Sequence, residues 1–94
     1  MSARLSGLTI GALTLTPAFD PDEASYTATT TNATNTVTAT PEDPRSTVSI
    51  TVGGTAVNNG SAAAWTDGEN TLTVKVTNGD AEKTYTVTVT KETA

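Results

Sequence analysis

From Asn70 to Lys91 the chain reads NTLTVKVTNGDAEKTYTVTVTK, two runs in which polar and apolar residues exchange at every second position. A period of two belongs to a β-strand, whose successive side chains point to opposite faces; a helix repeats every 3.6 residues. Leu72, Val74 and Val76 therefore share one side with Tyr85, Val87 and Val89. Thr71, Thr73, Lys75 and Thr77 take the other side, with Thr84, Thr86, Thr88 and Thr90. Threonine joins a β-branched side chain to a hydroxyl, which suits the wet face of a sheet. The pattern predicts two strands, 71–76 and 84–90, joined through TNGDAEK.

The same alternation runs along most of the chain. Leu5, Leu8 and Ile10 open it, and Leu13 and Leu15 follow Gly11. The segment TPAFDPDEAS reads as a loop or corner because of its prolines and acidic residues. Strands are expected over 26–31 (Tyr26 and Ala28 on one face) and 35–41 (Val37 and Ala39 inward, Pro41 ending it). PEDPR is a second proline-marked turn. Residues 47–52 place Val48, Ile50 and Val52 on one face, and Gly53-Gly54 makes a tight turn. TAV leads to the turn pair Asn59-Gly60, and a short, weak strand is expected over 62–65. No window has helical periodicity. About seven short strands, with turn signals every ~8–12 residues, predict one antiparallel β-sandwich of Greek-key type spanning 1–94.

Composition narrows the chemistry. Of 94 residues, 23 are threonine, and the only rings are Phe19, Tyr26, Trp65 and Tyr85, expected in a core otherwise aliphatic. The formal charge of −5 opposes nucleic acid, which needs a basic face. No apolar run approaches the ~20 residues of a membrane span, and MSARLSGLTI lacks the apolar region of a signal peptide. An exported parent would carry its signal elsewhere.

Without histidine or cysteine, Ser-His-Asp and Cys-His catalysis are impossible, and zinc would have only carboxylates. The paired carboxylates of DPDE and PED sit beside prolines, where turn chemistry is the simpler role. No catalytic, cofactor-binding or metal-ligating residue is assigned. Calcium is the best acidic-site candidate, with Asp20, Asp22 and Glu23 at close spacing and Asp67 and Glu69 as further oxygens. Ala24 and Ser25 break any EF-hand pattern, and turn capping is the favoured account. An Asn–Lys isopeptide needs a buried lysine, whereas Lys75 faces out between Val74 and Val76; Asn70 is expected to bond the backbone near Gly68. Ordering of water by a Thr-x-Thr array needs a flat sheet, and sandwich sheets twist. Glycan binding needs an exposed ring, and Trp65, after three alanines, is expected to face the core.

Taken in order, LSGLTI, LTLTPAFDPDEASYT, VTATPED, VSITVGGTAV, DGENTLTVKVT and KTYTVTVTK resemble the bacterial cadherin-like β-sandwich domain, of the immunoglobulin-like group. The resemblance rests most on Leu15, Pro17, Phe19, Pro21 and Tyr26, and on Gly68 and Asn70 before the Tyr85 strand. It implies a non-catalytic structural, spacer or adhesion module of a larger bacterial surface or secreted protein. The alternative setting is a phage virion protein with weak contact to host-cell carbohydrate. Expected partners are the neighbouring domains of the parent chain, with cell-surface glycan the further candidate. The net charge and hydroxyl faces predict an isolated domain that is monomeric, provided its edge strands are protected.

Overall fold

The alternating segments fold as strands. The structure, a computed structural model, describes residues 3–11, 13–16, 18–20 and 22–92, so Pro17 and Pro21 lie outside the described residues. Eight strands are present among them: β1 (Leu5–Ile10), β2 (Ser25–Thr30), β3 (Thr34–Pro41), β4 (Thr47–Val52), β5 (Thr55–Val57), β6 (Ala62–Ala64), β7 (Gly68–Asn78) and β8 (Ala81–Lys91). They form two sheets, β1-β3-β6 and β2-β8-β7-β4-β5, facing each other across the core. The result is the expected sandwich. One pairing departs from the antiparallel rule, because β2 lies parallel to β8 through six residue pairs from Ser25↔Thr86 to Thr30↔Lys91. The intervening fifty-odd residues visit both sheets, which is the kind of long crossover that parallel pairing requires.

The turns follow from backbone chemistry. Gly53 and Gly54 take φ of +56° and +88°, the two positive values of the type I′ turn that matches hairpin twist. Residues 77–83, expected as the last connection, are strand up to a two-residue turn at Gly79-Asp80. The polar residues there still alternate. Thr77 lies opposite Glu82 on the outer face, while Asn78 turns inward and donates to the Asp43 carboxylate at 2.9 Å. A buried amide with a partner costs little, so the strand need not stop at its first polar inward position. The Asn59-Gly60 turn closes through Ser61 N–H to Asn58 C=O, 2.9 Å, but it joins strands of different sheets.

The core takes Leu5, Leu8, Ile10, Val37, Leu72, Val74, Val76, Val87 and Val89 from both sheets, with Tyr26, Trp65 and Tyr85. Phe19 is only half-buried, stacking on Tyr26 with ring centres 5.9 Å apart and tilted against Tyr85 at 6.3 Å. Each tyrosine hydroxyl ties backbone. Tyr26 accepts the Asp20 N–H at 3.0 Å and donates to the Asp20 C=O at 2.7 Å, fastening the corner before β2. Tyr85 accepts the Leu5 N–H at 3.0 Å, joining the two sheets. Burial raises the phenol pKa of both above the ordinary value, because the charged form loses water.

Two stretches of exposed strand backbone, on β2 and on β3, are closed by unlike devices. Thr16 exchanges both backbone bonds with Thr27 on the outer side of β2, at 2.9 and 2.8 Å. On β3, β6 pairs only with Thr34 to Thr36. Beyond it, the Asn59 side chain imitates a neighbouring strand, accepting the Ala39 N–H at 2.8 Å and donating to the Ala39 C=O at 2.7 Å. Pro41 then ends β3 with no N–H to leave exposed.

The long dimension is 43 Å. β1 begins at one end, where Arg4 C=O meets the Glu42 N–H. β8 finishes at the other, with Lys91 opposite Gly68 and the Glu92 N–H bonded to Thr30 C=O.

Candidate functional site

The threonine rows lie in register on the outer face of the five-stranded sheet. One row runs Ser25–Thr86–Thr73–Thr51 across four strands, and a second runs Thr27–Thr88–Thr71 across three. Thr86, Thr88, Thr73 and Thr51 are half-buried although they face away from the core. Their cover is one another: directly opposed threonines bring methyl and hydroxyl groups together, worth ~0.2–1 kcal/mol a pair. The array is interrupted by Glu69 opposite Thr90, and by the Lys75–Glu82 ion pair at 3.3 Å. It is the self-packed outer surface of a sheet. Lys75 faces out as expected.

The acidic residues singled out by spacing are spread over both ends of the sandwich. Asp20 Oδ1 accepts the Asp22 N–H at 2.9 Å, and Glu23 Oε1 accepts the Ser25 N–H at 3.2 Å. The Asp22 carboxylate meets Arg4 at 2.8 Å, and the same guanidinium holds Glu42 at 3.0 Å. Asp67 belongs to the far end, against Lys91 at 2.7 Å. Among the described residues no three such side chains gather as a metal site would need. Asp20 and Glu23 instead cap turns, and Asp22 and Asp67 meet cations.

Polar side chains close both ends of the core, and β7 supplies one to each. Its inward residues read Asn70, Leu72, Val74, Val76, Asn78. Asn70, 7% exposed, accepts from Thr66 N–H and Oγ1 at 3.0 and 3.1 Å. Its amide reaches the carbonyls of Thr66, Gly68 and Val89 at 2.9, 3.1 and 3.1 Å. The expected bond to Gly68 is one of five. Trp65, 6% exposed, faces the core as expected, and its Nε1–H donates to Asn35 Oδ1 at 2.8 Å. Thr30 Oγ1 donates to the same oxygen at 3.3 Å. No ring among the described residues stands exposed as a platform for a sugar. No polar side-chain atom among them is buried without a partner.

At the opposite end Asp43 takes bonds from the Arg45 backbone, from Arg45 Nε and Nη2 at 3.2 and 3.1 Å, and from Asn78. The Arg45 side-chain bonds, then its backbone N–H, hold the Asp43 carboxyl well below the usual carboxylate range. A carboxyl that binds its proton more weakly when folded stabilises the fold above its unfolded pKa of about 4, and that help is lost as pH falls through the lowered value. The Asp43→Asn variant should therefore melt below the parent near pH 7. The gap should narrow below about pH 4, as read by thermal midpoints across pH. A gap constant with pH would contradict this assignment.

Sequence spacing found the acidic turns, the inward Trp65 and the Asn70 bond. It missed Asn35, Asn59 and Asn78, whose roles depend on strands distant in the chain; only the Asn59-Gly60 dipeptide carried a signal, and it signalled a turn. Among the described residues no helix is long and apolar enough to cross a membrane. Compared with known families, the chain matches the family model of the cadherin-like beta sandwich domain over residues 10–92. A search of curated proteins found no match.

Proposed function

The chain belongs to the cadherin-like β-sandwich family, and from that premise we propose that it is a load-bearing spacer of a larger bacterial surface or secreted protein. Domains of this family are structural or adhesion-type modules, generally non-catalytic and typically extracellular. The observation that carries the reading is the placement of the terminal strands. β1 starts at one end of the 43 Å axis and β8 finishes at the other. Tension between neighbours at the two ends draws each terminal strand along its own length.

β8 is then held by eleven residue pairs to β7 and by six parallel pairs to β2. Under that load the hydrogen bonds lie across the force and must fail together. The Tyr85 hydroxyl, bonded to Leu5 N–H, stitches β1 to the same strand. Inert turns, satisfied polar groups and a hydroxyl face suit a part whose task is to hold position among neighbouring domains. Single-molecule pulling through the two ends tests this. The module should resist and then unfold in one step, lengthening by about 3.3–3.6 Å for each released residue. Gradual lengthening at low force would refute a mechanical role.

A further inference from the structure

The five-stranded sheet overhangs the three-stranded one on a single flank. Among the described residues no fourth strand lies beside β6 to cover β4 and β5, and Val48, Val52 and Val57 stay half-buried while Ile50 is buried. A cleft of about 360 Å³ opens there, lined by Val52, Thr55, Val57, Ala64, Thr66 and Asn70.

Charge is missing from the same flank. The chain carries 15 charged side chains and a net −5, yet none lies in the 21 residues from Ser46 to Thr66, which hold β4, β5 and β6. Charged residues lie mainly at the two ends, with Arg4, Asp22, Glu42, Asp43 and Arg45 at one and Asp67 and Lys91 at the other. The Lys75–Glu82 pair stands on the outer face of β7 and β8, with Lys75 opposite Ser49 of β4. β2 and β3 have their outer edges closed by Thr16 and Asn59. Among the described residues β6 has no such device: its one sheet neighbour there is β3, and its three alanines include no lysine, proline or charge to turn a strand away.

The backbone of β6 fixes what fits. In its register with β3, Ala63 exchanges bonds with Asn35, so the N–H and C=O of Ala62 and Ala64 point away from the sheet. We propose that this flank is a self-association surface, on which β6 of a second copy pairs antiparallel with β6 of the first about a two-fold axis at Ala63. Ala62 of each copy then exchanges two backbone bonds with Ala64 of the other, four in all. The small side chains let the strands meet, and the three-stranded sheets join into one of six.

The occupant follows from charge. Two molecules of −5 each repel wherever their ends approach, and this uncharged flank is where they can close without opposing carboxylates. A contact of this size is weak and transient. Added salt, by screening the distant charges, should strengthen it. The proposal does not depend on the spacer reading.

Sedimentation of the full chain, taken up to about 1 mM where contacts near 4 kcal/mol become visible, provides the test. A monomer–dimer equilibrium is expected, with amide exchange at Ala62 and Ala64 slowing as concentration rises. The double variant A62K/A64K changes two exposed side chains and sets like charges opposite each other across the seam. It should weaken the dimer at least tenfold. A62E/A64K sets opposite charges across an antiparallel seam and should restore it, whereas a parallel seam would oppose like charges. A chain that stays monomeric throughout, with both amides unprotected, overturns the proposal. So does a dimer indifferent to A62K/A64K.

Discussion

Replacing Tyr85 by alanine is expected to cost about 3–5 kcal/mol, the range for removing a large buried ring. The side chain is fully buried, its ring lies against Phe19, and Lys83 Nζ sits 5.5 Å from its centre. Its hydroxyl is also the acceptor for the buried Leu5 N–H. A domain of this length has roughly 5–14 kcal/mol in total at 0.05–0.15 per residue. The substitution thus removes a large share of stability and leaves part of the population unfolded. Tyr85→Phe separates the two contributions. It keeps the ring and abandons the Leu5 N–H, at about 1–2 kcal/mol. Urea midpoints for both variants provide the check, and an alanine variant as stable as the phenylalanine one would show that the ring is not a core member.

Asn70→Asp should be nearly as damaging near neutral pH, although it exchanges one NH₂ for one oxygen. The amide of Asn70 faces the carbonyls of Thr66, Gly68 and Val89. A carboxylate there presents an acceptor to three acceptors and buries a charge without a cation, at a cost of about 3–5 kcal/mol. The direction with pH follows from the same geometry. Burial and facing carbonyls raise the folded-state pKa of the new carboxyl above its unfolded value of about 3.9. Stability relative to the parent is therefore greatest below that value, where the protonated group regains a donor, and is lost as pH rises through the raised pKa. Unfolding of variant and parent at matched pH values reads this directly. A deficit that grows on acidification would contradict the role given to the amide.

The fold was legible because its inward residues are apolar at a strict period. Leu72, Val74 and Val76 against Tyr85, Val87 and Val89 admit no helix, and the structure places all six in the core. Legibility failed where an inward position is polar. Asn78 hid the continuation of β7 to its turn, because a sequence does not show that Asp43, 35 residues away, will satisfy it. The side-chain imitation of a strand by Asn59, and the parallel seat of β2 beside β8, are likewise products of long-range pairing. Nor does the run of uncharged residues from Ser46 to Thr66 mean anything until folding collects it on one flank.

The acidic residues illustrate the opposite case. Asp20, Asp22 and Glu23 look like a set of oxygens along the chain, but local turn geometry engages Asp20 and Glu23 with nearby N–H groups and Arg4 takes Asp22. Short-range hydrogen bonding of this kind is what makes such residues common in turns. Threonine, the most conspicuous component, reports a sheet surface and names no ligand.

The central claim is that strand placement makes the module resist tension along its axis, and force direction tests it most directly. The chain has no cysteine, so T29C and A56C, on the two edge strands of the larger sheet, provide attachment points across the strands. Pulled through its ends, the module should yield only at a force severalfold higher than when pulled between those two edges, where the ladders open one bond at a time. Equal forces in the two directions, or a weaker axis end to end, would contradict the account.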